Sequence, residues 1–335
     1  MTEFPASSHR RKVLASGGTV AAISAFGLWP YLASAQAPYP SRPVKLIVPN
    51  APGSSVDTVG RVVANQLSAA MSQPFVLDNK AGAAGAIGVE AGRQAAPDGY
   101  TMIIASSSSM SVAPLLQKAV NYDALKDFEF VSLIAVLPNV LVCNPTLAVR
   151  TPTDLITYAK SRGASTNMAS AGIGSLSHLA GVAFQEAGGF ESLHVPYKGG
   201  SQGVASVVAG ETDWVLTPAP AALGFVSSGR LRLLGHSMSR DARPLGSVPA
   251  IGETVSGFEF SSWIGLMAPK GVSESVVEIM RAAVVAALQQ PALRESFQSN
   301  GAVPAPSTPQ EFRSYLAHDI ELNRKAVRAA RIQPE

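Results

Sequence analysis

With 335 residues, 47% of them hydrophobic and only 15% charged, the chain has room for two domains of ordinary size and is too apolar and too weakly charged to be intrinsically disordered. Its formal net charge of +3 comes from 26 basic and 23 acidic residues, and three of the basic residues stand together at Arg10-Arg11-Lys12. Without that start the chain is nearly neutral, which argues against nucleic acid or an anionic membrane surface as partner.

The first segment reads as an export signal. After the basic start, residues 13–32 carry no charge, and Ala33-Ser34-Ala35 offers the small residues that a signal peptidase needs. Cleavage is expected after Ala35, because the alternative Ala35-Gln36-Ala37 would leave Pro38 at the new terminus. Arg10-Arg11 before apolar Val13-Leu14 fits a twin-arginine signal or an ordinary secretory one, and both routes stay open. Removing 1–35 takes away three basic residues and Glu3, leaving 23 basic against 22 acidic. The one cysteine, Cys143, allows no intramolecular disulfide, and its setting in Val140-Leu141-Val142-Cys143 reads as a buried strand.

From there strands and helices alternate. Strand 44–49 leads through a Pro/Gly loop into a helix over 56–71, whose apolar positions recur at helical spacing. Strand 75–77, a small-residue loop at 81–88 and a helix ending near 95 follow, then a turn at Asp98-Gly99 and strand 100–105, which runs into the serine run 106–109. Strands are predicted at 130–135 and 140–143, and a helix at 151–161 with Thr151 as N-cap and Pro152 in its first turn. Strand 167–170, a glycine loop and a helix to 187 come next, then strand 193–197, another glycine loop and a helix, and strands 214–217 and 231–237. An extended run at 262–268 precedes two helices, about 274–289 and 309–329. The alternation implies mostly parallel sheets covered on both faces.

Three strand-to-helix loops share one design: Pro49-Asn50-Ala51-Pro52-Gly53-Ser54-Ser55, Ser170-Ala171-Gly172-Ile173-Gly174-Ser175 and Tyr197-Lys198-Gly199-Gly200-Ser201. Free amides of a first helical turn and the helix dipole favour an anion at such places. Glycine permits close approach to the main chain, and serine adds a hydroxyl donor. Taken together the three loops suit a carboxylate.

The chain from about 39 to 332 resembles the Bug receptors, the TctC-type periplasmic solute-binding proteins of tripartite tricarboxylate transporters. The resemblance rests on Tyr39-Pro40-Ser41-Arg42-Pro43-Val44, Ala51-Pro52-Gly53 with Asp57, Asp78-Asn79-Lys80-Ala81-Gly82, Ala96-Pro97-Asp98-Gly99-Tyr100, Ser170-Ala171-Gly172-Ile173-Gly174-Ser175 with His178, His194-Val195-Pro196-Tyr197-Lys198-Gly199 and Trp263-Ile264-Gly265-Leu266, in this order. It implies an α/β, type II periplasmic-binding-protein fold, with two doubly wound domains joined by hinge strands: 38–140 plus 262–335, and 141–261. The crossings are expected at 140–144 and 262–268. It also implies a periplasmic receptor that captures a small organic carboxylate for the permease subunits of such a transporter. The expected ligand-binding residues are Ala51, Pro52, Gly53, Ser54, Ser55, Asp57, Ser107, Ala171, Gly172, Gly174, Ser175, His178, Tyr197 and Thr217.

Two departures from the family pattern matter. Pro52-Gly53-Ser54-Ser55 stands where the family usually has Pro-Gly-Gly-Gly, and Leu216-Thr217-Pro218 stands where it often has Phe-Asp-Asn. The missing acid makes a ligand with a cationic amine a poor fit, and the apolar segment 216–222 suits an aromatic or aliphatic body. Lys198 either meets a distal carboxylate or is a solvated loop cation. No histidine or cysteine has metal-ligand spacing, so neither metal nor cofactor is expected, and the mature protein is expected to be a monomer without enzymatic activity. The alternative is a secreted serine esterase using Ser201 in Gly199-Gly200-Ser201-Gln202-Gly203, with His236 and His318 downstream. Lys198 and Gly199 would loosen its nucleophile elbow, no His-Gly oxyanion motif precedes it, and 29 glycines make the pattern common by chance.

Overall fold

The computed structural model describes residues 39–197, 199–239, 245–299 and 301–334, so the expected signal over 1–35 and Lys198 lie outside the described residues. Ten helices and eleven strands occupy them. The first half runs β1 (Val44–Val48), α1 (Ser55–Met71), β2 (Phe75–Asn79), α2 (Ala86–Arg93) and β3 (Thr101–Ser106). A π-helical turn at Ser108–Val112 then leads into α3 (Ala113–Leu116) and β4 (Phe128–Leu137). The second half runs β5 (Asn139–Cys143), α4 (Pro152–Arg162), β6 (Asn167–Ser170), α5 (Leu176–Gly188), β7 (Leu193–Pro196), α6 (Gly200–Ala209), β8 (Trp214–Pro218), α7 (Ala219–Ser227) and β9 (Arg232–His236). The chain then returns through β10 (Ser262–Pro269), α8 (Glu274–Gln289), α9 (Pro291–Ser299), β11 (Val303–Pro304) and α10 (Pro309–Ala329).

The strands form two sheets within one compact unit, Pro38–Glu335. The first has the order β11-β4-β10-β3-β1-β2 and the second β7-β6-β8-β5-β9. Apart from the short edge strand β11, both follow one plan, second-first-third-inserted-fourth. The inserted strand, β10 or β5, has just arrived from the other sheet and lies antiparallel to both neighbours. The expectation of mostly parallel sheets is therefore corrected: both sheets are mixed. A strand that enters without a crossover helix is not bound to run parallel to its neighbour.

β5 pairs over its whole length in the second sheet and β10 in the first, so the chain changes sheets just before each strand rather than within 140–144 and 262–268. The two passages are tied together. Asn139 N–H donates to Ser237 Oγ (2.9 Å), and Ser237 Oγ donates to the Phe260 carbonyl (2.7 Å).

Period-two alternation builds a core on each face. In β3, Met102 and Ile104 pack with α1 and α8, whereas Ile103 and Ala105 pack on the opposite face with Phe312 and Leu316 of α10. In β5, Leu141 and Cys143 face Leu179 and Phe184 of α5, and Val140 and Val142 face Val204 and Val207 of α6. Trp214 and Trp263 are fully buried, and burial pushes the Cys143 thiol up to about 11. The last turn of α10, with Ala326 and Val327, joins the core of the second sheet, so this helix serves both sheets.

Candidate ligand-binding site

Helices α1, α5 and α6 each start directly after a strand, and their first turns meet at one cleft of about 670 Å³. Ser54 caps α1: its hydroxyl accepts Asp57 N–H at 3.2 Å. Ser175 caps α5 by accepting His178 N–H at 3.3 Å. Gly199 precedes α6 in extended backbone, with no side-chain cap. The amides of Ser55, of Leu176 and Ser177, and of Gly200 and Ser201 are thereby first-turn donors without intrahelical acceptors. All five residues line the cleft, together with Ala51, Pro52, Gly53, Ser54, Ala171 and Thr217.

The remaining expected site residues stand behind this surface. Asp57 is 2% exposed, and its carboxylate accepts Gly53 N–H, Arg61 Nε–H and Asn79 Nδ2–H, each at 2.9 Å. Burial would raise its pKa, but the hydrogen bonds from Arg61, Gly53 and Asn79 outweigh burial and hold it below the ordinary carboxylate value. Asp57 thus braces the first loop and does not line the cleft.

The second loop uses its own donors. Ala171 N–H goes to Ser177 Oγ (2.8 Å), Gly172 N–H to Ser170 Oγ (3.1 Å), Gly174 N–H to His178 Nδ1 (3.1 Å) and Ser175 N–H to the Gly172 carbonyl (3.1 Å). Gly172 and Gly174 are there for conformation, at φ +118° and +74°, and a Cβ on Gly174 would stand 2.3 Å from Leu116 Cδ1. The cleft receives the residues one step further on, Leu176 and Ser177, which an emphasis on glycine overlooks. The signal was available in the N-cap Ser175, which sets the helix start and with it the free first-turn amides.

His178 stacks on His194 with ring centroids 3.8 Å apart and planes 7° from parallel. Burial, and then the neighbouring His194, lower the His178 pKa to about 4, so its Nδ1 remains an acceptor for the loop. His194 Nε2 meets Ser170 Oγ at 2.6 Å. The pair is a neutral brace under the loop. Ser107 is fully buried and accepts Trp263 N–H at 3.0 Å, while Tyr197 reaches Glu211 at 3.4 Å, and neither lines the cleft.

Helix α7 closes another side with Pro218, Pro220, Ala221 and Phe225. Among the described residues that line the cleft there is no charged side chain and no histidine. Ser201 therefore has no base beside it there. A larger cavity of about 810 Å³ lies between α5 and the C-terminal residues, but Glu186 and Glu191 line it beside Arg331, which does not suit an anion.

Comparison with known proteins gives a consistent family. The model described as tripartite tricarboxylate transporter family receptor, TctC, matches residues 59–331. Protein BugT of Bordetella pertussis is 35% identical over 285 residues, covering 84% of this chain and 87% of BugT. Among solved structures, R. palustris Rpa4515 with adipate matches with a TM-score of 0.80 at 30% identity, covering 89% of this chain and 100% of that one. The periplasmic binding protein BugD matches with a TM-score of 0.76 at 27% identity, again covering 89% of this chain and 100% of that one.

Proposed function

Because the chain belongs to the tripartite tricarboxylate transporter receptor family, TctC, we propose that the cleft between its two sheets captures a small organic carboxylate for the membrane subunits of such a transporter. The protein is a solute-binding receptor with a type II periplasmic-binding-protein fold. One observation carries the choice of ligand: three helix N-termini converge on a cleft whose described lining holds no charged side chain. Free amides, serine hydroxyls and aligned dipoles stabilise a carboxylate, and no acid in the described lining repels it. Adipate is the ligand named with Rpa4515, which favours the same chemistry here.

The ligand contacts are assigned to Ser54, Ser55, Ala171, Leu176, Ser177, Gly200, Ser201 and Thr217. The two domains, each built on one sheet, run over about 38–138 plus 261–335 and 139–260, hinged at the passages around Pro138 and 261. A carboxylate that touches first-turn amides from both sides favours the closed form, which a membrane partner can distinguish from the empty one. Export removes 1–35 after Ala35, and the mature protein works as a periplasmic monomer. It binds and releases its ligand unchanged, in keeping with the receptor family that the chain matches. Thermal-shift screening of the mature protein tests this reading. Stabilisation by carboxylates and not by their amides is expected, and stabilisation only by neutral sugars or cations would overturn it. Ester hydrolysis above background that is lost on Ser201→Ala would hand the site to an enzyme.

A further inference from the structure

Four helices present their N-termini to the cleft, but the fourth, α7, has lost most of its donors. Pro218 at its N-cap and Pro220 in its first turn carry no N–H. The Ala219 amide donates to the Pro138 carbonyl at 2.9 Å. Of the amides that a helix start normally offers, only that of Ala221 remains. What α7 offers the cleft instead is carbon, from Pro218, Pro220, Ala221 and the ring of Phe225. The cleft is thus polarised: α1, α5 and α6 form a donor-rich pole, and α7 forms an apolar wall.

Resting on the carboxylate-receptor reading, we propose that this protein selects monocarboxylates with an apolar aliphatic or aromatic body. The carboxylate occupies the pole of α1, α5 and α6, and the body lies against the α7 wall. A second carboxylate placed on that wall would lose its hydration for no more than the single Ala221 amide, which disfavours di- and tricarboxylates. An apolar body, in contrast, gains from leaving water there.

Isothermal titration calorimetry on the mature chain separates the two levels of the proposal. The probes are hexanoate and benzoate against adipate, malate and citrate, with hexanamide and benzamide as neutral controls. Hexanoate or benzoate is expected to bind at least about tenfold more tightly than any of the polycarboxylates. Phe225→Ala is expected to weaken the monocarboxylate about tenfold. Pro220→Ala, which restores an N–H on the wall at a position where alanine is readily accepted, is expected to improve adipate relative to hexanoate. Adipate, malate or citrate binding as tightly as hexanoate and benzoate would overturn the monocarboxylate assignment and leave the carboxylate receptor standing. Amides binding as well as the acids would overturn the receptor reading itself.

Discussion

Asp57 shows how a single side chain shapes the site without touching its contents. Its carboxylate is surrounded by Arg61, Asn79 and the Gly53 amide, so the loop that carries Ser54 and Ser55 is fixed from behind. Replacing it by Asn removes the charge and leaves Arg61 and the Gly53 amide poorly matched. Asp57→Asn is expected to cost about 1–3 kcal/mol of stability, read from denaturant titration, and to weaken carboxylate binding as well. Because its pKa is lowered on folding, its contribution is present above the ordinary value of 3.8 and is lost as pH falls through the folded value.

His178 acts in the same direction but in a higher pH window. It folds in the neutral form, with its pKa lowered from 6.5 to about 4, so the unfolded chain binds the extra proton between these values. Stability should therefore fall as pH drops from about 6.5 towards 4. Melting temperatures across this range check it. His178→Asn keeps an acceptor for Gly174 N–H and should show a shallower decline than the parent. An equal decline in both proteins would remove His178 as the cause. The sequence places this histidine just after the glycine loop but does not reveal its stack on His194, because contact between two strand-and-helix units is set by packing and not by spacing.

At the scale of elements, most of the chain was legible, and the exceptions share a cause. The strand 167–170 and the helices at 274–289 and 309–329 stand where apolar periodicity and caps put them. The helices that sequence reasoning missed, α3, α7 and α9, each have proline within their first two residues. No helix is expected from the sequence where two prolines flank Ala219, although a helix tolerates proline in its first turn, where the N–H would have no partner. Missing α7 hid the apolar wall as an element, although the apolar character of 216–222 was visible. The second loop was likewise located; in the structure its glycines hold left-handed backbone, and Leu176 and Ser177 line the cleft. Since Gly174 holds a left-handed turn against Leu116, Gly174→Ala should lower the melting temperature and weaken carboxylate binding together. Ser55→Ala should weaken binding more than it lowers stability, because Ser55 lines the cleft in the first turn of α1. Chemical unfolding and titration of each variant distinguish the two patterns.

For the whole molecule, the repeated strand plan places the first-turn amides of α1 opposite those of α5 and α6. A carboxylate held there touches both sheets at once, which links capture to closure. The residues that make this possible are 122 or more positions apart along the chain, from Ser55 to Ser177 and Ser201, so the sequence announced three anion loops without showing that they meet. The most direct measurement is an amide-resolved NMR titration of the mature protein with hexanoate. Shifts at Ser55, Leu176, Ser177, Gly200 and Ser201 are expected to saturate together with one dissociation constant, while amides lining the cavity near His194 and Arg331 stay still. Saturable binding that moves the latter and leaves the three helix starts unchanged would contradict the central claim.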